Sequence, residues 1–190
     1  MTVTAAQIKR VQEAGFQNVA AIAAACNKTE CPFYLAVAMF DKESNGANIF
    51  GHDRGGAMNY PGESVQVTRD SYAVFRWLVD RGIPVQQPDG SLKIIKYGPN
   101  GVGPGQITHP DLVARIKSQG LDIVNPADNI LFSTKLLYGY YRYGRDEKKL
   151  GVRDSIKYAG TKYNGDPDYG VDLLEQALKW KERVGDADYT

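Results

Sequence analysis

The stretch of sequence that decides the fold is residues 31–53, CPFYLAVAMFDKESNGANIFGHD. It begins with an apolar run that predicts a helix, and it ends in a loop. In a helix, positions i, i+3, i+4 and i+7 share one face, and this spacing relates Ala36, Met39 and Phe40 to Glu43. A carboxylate that ends a core-facing stripe is desolvated, which raises its pKa towards use as a general acid. The alternative is an ordinary surface glutamate near a helix C-terminus.

The loop that follows Glu43 is rich in glycine and runs over residues 46–62. Long irregular loops inside compact domains are usually functional or disordered. This loop carries His52 and Asp53. By itself, Asp53 fits a loop aspartate that makes a turn hydrogen bond.

Composition indicates an ordinary globular chain of 190 residues with a net charge of +1. We predict one domain over residues 1–190, with 185–190 as a tail. The small net charge gives no field that would attract nucleic acid. No run approaches the roughly 18 apolar residues of a membrane span, so we expect no membrane insertion. The apolar run at residues 19–25 fits an amphipathic helix better than a signal peptide.

Hydrophobic periodicity predicts a mainly α fold with about seven helices and room for a small β hairpin. Thr4 opens a single long helical pattern that is broken at residues 27–29, and Pro32 opens the next helix at a position that tolerates proline. Residues 92–95 are predicted to form a strand or hairpin arm. The other predicted helices cover residues 68–82, 109–119, 125–143, 150–162 and 171–184.

The two cysteines, Cys26 and Cys31, are five positions apart. They can form a short-loop disulfide or remain two buried thiols, and the sequence does not choose. Only His52 and His109 could complete a zinc site with them, so we expect no metal and no cofactor.

Two further motifs carry polar residues next to glycine. The run at residues 101–108, GVGPGQIT, lacks the Lys-Ser/Thr ending of a phosphate loop. Its glycines suit a backbone that approaches a ligand closely, with Gln106 able to donate and accept, and the alternative is a tight turn. Tyr163-Asn164-Gly165 also has the composition of a plain turn.

Taken in order, these elements resemble the goose-type lysozyme and soluble lytic transglycosylase superfamily. Glu43-Ser44 resembles its helix-ending Glu-Ser, residues 103–107 its Gly-x-x-Gln-Ile element, and Tyr163-Asn164 its Tyr-Asn-Gly element. The resemblance covers roughly residues 30–184. It is most specific to the muramidase-type catalytic domains of actinobacteriophage endolysins, whose Gly-His-Asp-x-Gly-Gly and Gly-Val-Gly-Pro-x-Gln-Ile-Thr elements recur here.

The resemblance implies a lysozyme-like fold and a glycosidase that cleaves the β-1,4 bond between N-acetylmuramic acid and N-acetylglucosamine in peptidoglycan. Glu43 would be the general acid, and Asp53 would activate water in an inverting hydrolysis. The substrate-binding residues would be Ser44, His52, Gln106, Thr108, Tyr163 and Asn164. We expect a monomer whose partner is the bacterial glycan strand.

Three alternatives stay open. A lytic transglycosylase would use Glu43 as acid and then base and would leave anhydro-muramic ends. A non-catalytic module would hold wall glycan without cutting it, and a chitinase-like enzyme would cleave plain N-acetylglucosamine polymers. For an endolysin we expect synthesis in the host cytoplasm, with access to the wall once a holin opens the membrane. One departure from the family is the long segment between the Glu-Ser and Gln-Ile elements, which would change the outline of the groove.

Overall fold

The computed structural model describes residues 2–50, 65–66, 83–95 and 101–185. Most of the glycine-rich loop and the predicted helix at 68–82 lie outside the described residues. The chain forms two compact units, which are Met1–Gly46 with Ile130–Thr190, and Ala47–Asn129. The number of domains stays a prediction.

The described residues are mainly helical, which confirms the predicted class. In these ranges there are seven helices: α1 Ala5–Gln12, α2 Val19–Thr29, α3 Phe33–Glu43, α4 Pro110–Ser118, α5 Pro126–Asp146, α6 Val152–Asn164 and α7 Pro167–Val184. The strands are short: β1 Ile49–Phe50, β2 Val65–Gln66, β3 Ile83–Gln86 and β4 Leu92–Ile95. Among the helices of the described residues, none combines the length and apolar character needed to cross a membrane.

The single long N-terminal helix predicted from Thr4 is wrong, because the chain forms α1 and α2 there. Thr4 does begin α1, in a capping box with Gln7. Between the helices, Gly15 and Asn18 have φ of 87° and 52°. These left-handed backbone conformations interrupt a helix although the apolar spacing continues past them. The predicted break at residues 27–29 is also wrong, since α2 extends through Thr29.

The core of the first unit is built around α3. Every residue from 33 to 40 is buried, and Pro32 precedes the helix as its N-cap residue. A helix that is apolar on all sides must be surrounded by other elements. The expected single core-facing stripe is therefore too narrow a description, since α3 leaves the core only at its polar end, residues 41–44.

Two glycines allow α6 and α7 to approach closely. A Cβ added to Gly160 would lie 2.9 Å from the Cα of Gly170, and one added to Gly170 would lie 2.4 Å from the carbonyl oxygen of Lys157. Neither position has room for a side chain. This approach joins the end of α6 to the start of α7, where Tyr163 and Tyr169 are found.

In the second unit, β1 pairs with β2 and β3 pairs with β4, both antiparallel. The segment predicted as a strand is β4, with Ile83 opposite Ile95 and Gln86 opposite Leu92. Helix α4 begins at Pro110 after His109, whose ring nitrogen accepts from the Asp111 amide at 3.3 Å. This helix closely matches the one predicted at residues 109–119.

Candidate functional site

The candidate acid, Glu43, is the last residue of α3 and is half-buried. The next amide, that of the C-cap residue Ser44, still donates to the Phe40 carbonyl at 2.9 Å, and the helical backbone ends there. The C-terminal end of a helix carries partial negative charge, so it favours cations over carboxylates. Glu43 is therefore placed where helix electrostatics alone would not favour an acid.

A tyrosine holds this carboxylate. The Tyr169 hydroxyl, on the first turn of α7, donates to Oε1 of Glu43 at 2.5 Å. A short hydrogen bond to a charged acceptor is stronger than one between neutral groups. Burial raises the pKa of the Tyr169 phenol well above its usual range, and the Glu43 carboxylate raises it further. The phenol therefore remains a neutral donor at any working pH.

Tyr163, one of the predicted site residues, lies near the same carboxylate. Burial raises the pKa of its phenol, and the charge of Glu43 raises it further. A hydrogen bond with Ser133 lowers this pKa by a smaller amount. Tyr163 belongs to the last turn of α6 rather than to a turn that follows it, because α6 extends through Asn164. Gly165 then ends the helix with φ of 94°, as glycine at this position commonly does.

Contacts with α7 also hold the two residues that precede Glu43 on α3. The Trp180 indole N–H donates to Asp41 at 2.8 Å. Lys42 pairs with Asp172 at 3.0 Å, and its ammonium lies 4.8 Å from the ring centroid of Tyr169. These contacts hold the end of α3 in a fixed position. A side chain that acts as an acid needs such preorganisation.

In the second unit, Gln106 stabilises its own turn. Its φ is 47°, and its side-chain amide donates to the carbonyl oxygens of Gly103 at 2.8 Å and Ile49 at 3.3 Å. Both amide hydrogens are thus used inside the unit. A Cβ on Gly101 would lie 2.3 Å from Oε1 of Gln106. The glycine there is explained by this internal approach, whereas the sequence suggested an approach to a ligand.

Asn129 is a structural residue that the sequence analysis missed. It is fully buried, and its amide donates to the carbonyls of Val102 and Ile123 at 2.9 Å each, while its oxygen accepts from the Gly105 amide at 2.9 Å. A Cβ on Gly103 would lie 2.5 Å from this amide nitrogen. Asn129 therefore holds the glycine-rich turn of residues 101–107 in place.

Of the remaining predicted site residues, three are described by the structure and two are not. Ser44 and Thr108 are half-buried and Asn164 is exposed. His52 and Asp53 lie outside the described residues, so the second carboxylate stays a prediction. The residues that the structure brings together are Glu43 and Tyr163.

The cysteines are two free buried thiols at the junction of α2 and α3. Burial raises the pKa of the Cys31 thiol, and a hydrogen bond with Cys26 adds to that rise. A thiol with a raised pKa is a poor nucleophile at neutral pH. The pair therefore contributes to packing in this structure.

The main residue missed in the site is Tyr169, and a sequence signal for it existed. Asp166 caps α7 and Pro167 occupies its first turn, a known combination at helix starts. Beginning the last helix at residue 171 left Tyr169 outside it.

Comparison with known proteins adds no relative: no protein-family model, no curated protein and no solved structure matches this chain.

Proposed function

We propose that this protein is a glycosidase that cleaves the β-1,4 bond between N-acetylmuramic acid and N-acetylglucosamine in bacterial peptidoglycan, with Glu43 as the general acid. The observation that carries the proposal is the hydrogen bond from Tyr169 to Glu43 at 2.5 Å on a half-buried carboxylate. The order of the Glu-Ser, Gln-Ile and Tyr-Asn elements, which resembles lysozymes and lytic transglycosylases, supplies the substrate class.

The placement of Glu43 supports a functional role over a structural one. A carboxylate at the C-terminal end of a helix is disfavoured by the helix dipole, and a half-buried carboxylate loses part of its hydration. Local rules of this kind are broken most often at functional sites. Here the cost is offset by the phenol of Tyr169, which donates to the carboxylate and whose ring is contacted by Lys42.

In the proposed reaction, Glu43 gives its proton to the glycosidic oxygen as the bond to the anomeric carbon breaks. The developing oxocarbenium ion then needs a nucleophile. In hydrolysis this is a water that Asp53 would activate. In the transglycosylase route it is the 6-hydroxyl of the muramic acid itself, which passes its proton back to Glu43.

We also propose the biological setting that the resemblance implies. The enzyme would be a phage endolysin that accumulates in the host cytoplasm and attacks the wall after a holin opens the membrane. Its partner would be the glycan strand, and it would act as a monomer without metal or cofactor.

The decisive experiment is Glu43→Gln assayed by the clearing of a purified peptidoglycan suspension. We expect cleavage to be abolished, since the amide cannot deliver the proton, while thermal unfolding stays close to that of the natural protein. Glu175→Gln is the matched control, because Glu175 is an exposed carboxylate on α7. Cleavage that persists in Glu43→Gln would reject Glu43 as the acid.

The products separate the two routes. Mass spectrometry of the released sugars would show reducing ends after hydrolysis and anhydro-muramic ends after transglycosylation. Asp53→Asn should stop only the hydrolytic route. Solubilisation of chitin in preference to peptidoglycan would assign the chitinase-like alternative instead.

A further inference from the structure

The lysine that precedes the candidate acid is itself held in a specific place. Its ammonium lies 3.0 Å from Oδ2 of Asp172 and 4.8 Å from the ring centroid of Tyr169. The Lys42 side chain is 19% exposed, whereas that of Asp172 is 62% exposed. The ammonium therefore lies between a solvent-facing carboxylate and the ring whose hydroxyl serves Glu43.

We propose that Lys42 is a positioning residue for the candidate acid and that it acts through Tyr169. By lying over the ring, its ammonium holds the phenol in the orientation from which the hydroxyl donates to Glu43. The catalytic consequence rests on the proposed function, whereas the positioning itself does not.

The arrangement of the two helices favours this role. Lys42 and Glu43 are consecutive at the end of α3, and their partners Tyr169 and Asp172 are three residues apart on α7. Residues three apart on a helix are neighbours on its surface. Tyr169 is thus contacted twice from α3, by Glu43 at its hydroxyl and by Lys42 at its ring.

A surface ion pair alone does not account for the position of Lys42. An exposed Lys–Asp pair contributes little to stability, and a lysine usually extends its ammonium into water. Here most of the Lys42 side chain is withdrawn from solvent, and its ammonium faces an aromatic ring, where the attraction strengthens as water is excluded. Asp172 balances the charge of Lys42 from the solvent side.

The contact between Lys42 and the ring also changes the donor strength of the Tyr169 hydroxyl. A cation over a phenol ring draws electron density from it, so the hydroxyl becomes a better donor to the Glu43 carboxylate. A hydrogen bond to the charged form of an acid favours that form. Loss of the cation should therefore move the titration of Glu43 to higher pH.

The test follows the side-chain carbonyl carbon of Glu43 by NMR through a pH titration of the full chain without substrate. The variants are Lys42→Met, Lys42→Arg and Lys179→Met. Lys179 is an exposed lysine on the same helix α7, so its variant controls for the loss of one positive charge. We expect Lys42→Met to raise the titration midpoint by about half a pH unit, with Lys42→Arg and Lys179→Met close to the natural protein.

A double-mutant cycle establishes whether the effect passes through Tyr169. In a Tyr169→Phe background, Lys42→Met should produce less than half of its original shift, because the hydroxyl that transmits the effect is gone. An equal shift in both backgrounds would show that Lys42 acts directly on Glu43 as a charge, and it would overturn the proposal. So would an unshifted midpoint in Lys42→Met.

Peptidoglycan cleavage by the same variants separates this inference from the proposed function. Lys42→Met should lower kcat by about three- to tenfold with little change in KM, and Lys42→Arg should restore most of the loss. If the natural protein leaves peptidoglycan intact while the NMR shifts appear as expected, the proposed function fails and the positioning role of Lys42 stands.

Discussion

Replacing Tyr169 with phenylalanine removes one atom from the candidate site and tests how the acid is held. The lost hydrogen bond joins the phenol to Oε1 of Glu43 at 2.5 Å. Hydrogen bonds to charged groups contribute about 1.5–3 kcal/mol, and half-burial of Glu43 places this one at the lower end. Since 1.36 kcal/mol corresponds to one pKa unit, the carboxyl should titrate about one pH unit higher in the variant.

The assay is the pH dependence of kcat/KM for peptidoglycan cleavage. The general acid must be protonated to react, so its deprotonation sets the alkaline limb of the profile. We expect this limb to move up by about one pH unit in Tyr169→Phe, and the plateau rate to fall by about tenfold because the carboxyl is no longer held in position.

Tyr158→Phe is the control for this experiment, since Tyr158 lies on α6 and stacks on Tyr143 with ring centroids 6.1 Å apart. An alkaline limb that is the same in Tyr169→Phe and in the natural protein would refute the reasoning.

Three further predictions concern stability. Gly170→Ala should lower the free energy of unfolding, measured by urea titration, by about 1–3 kcal/mol, because its Cβ would lie 2.4 Å from a backbone oxygen. The control is Gly139→Ala on α5, where a Cβ would have nothing within 4 Å. This variant should raise the free energy of unfolding by about 0.5–1 kcal/mol. Asn129→Ala should cost on the order of 3 kcal/mol in thermal or urea unfolding, because it removes three buried hydrogen bonds, two of them to the 101–107 turn. Burial raises the pKa values of Tyr163 and Tyr169 in the folded protein, so above pH ~10 these phenols ionise first in the unfolded chain. The free energy of unfolding should therefore fall by about 1.4 kcal/mol per pH unit for each of them. Urea unfolding at several pH values should show a shallower decline in the double variant Tyr163→Phe, Tyr169→Phe.

The helical class and the central helix could be predicted from the sequence because both follow from local patterns. The apolar run after Pro32 is long enough to require burial, and α3 forms there. The division between α1 and α2 could not be predicted from apolar spacing, since Val11 and Val19 keep that spacing across it. The left-handed backbone at Asn18, whose side-chain amide donates to the Gly46 carbonyl at 2.9 Å, depends on a distant part of the chain.

In the candidate site, too, some residues follow from local sequence patterns and others from packing between distant parts of the chain. Glu43 and Tyr163 could be selected because each belongs to a short motif. Tyr169 and Lys42 belong to no motif, and their importance comes from the packing of α3 on α7. Asn129 left a weaker signal: it, Ser133 and Tyr140 are polar residues at helical spacing within an apolar segment, a pattern that indicates a buried polar contact rather than a surface.

The burial of α3 also bears on how the candidate acid responds to thermal motion. Local opening is cheapest where few apolar contacts must be broken, whereas residues at the centre of a core exchange their amide hydrogens only when the whole unit unfolds. Residues 35–40 have no measurable exposure, and Glu43 follows them within one turn. Fluctuations that would displace Glu43 by moving α3 are therefore rare. The backbone that carries the acid stays in place for as long as the first unit remains folded, while Tyr169 sets the orientation of the carboxylate.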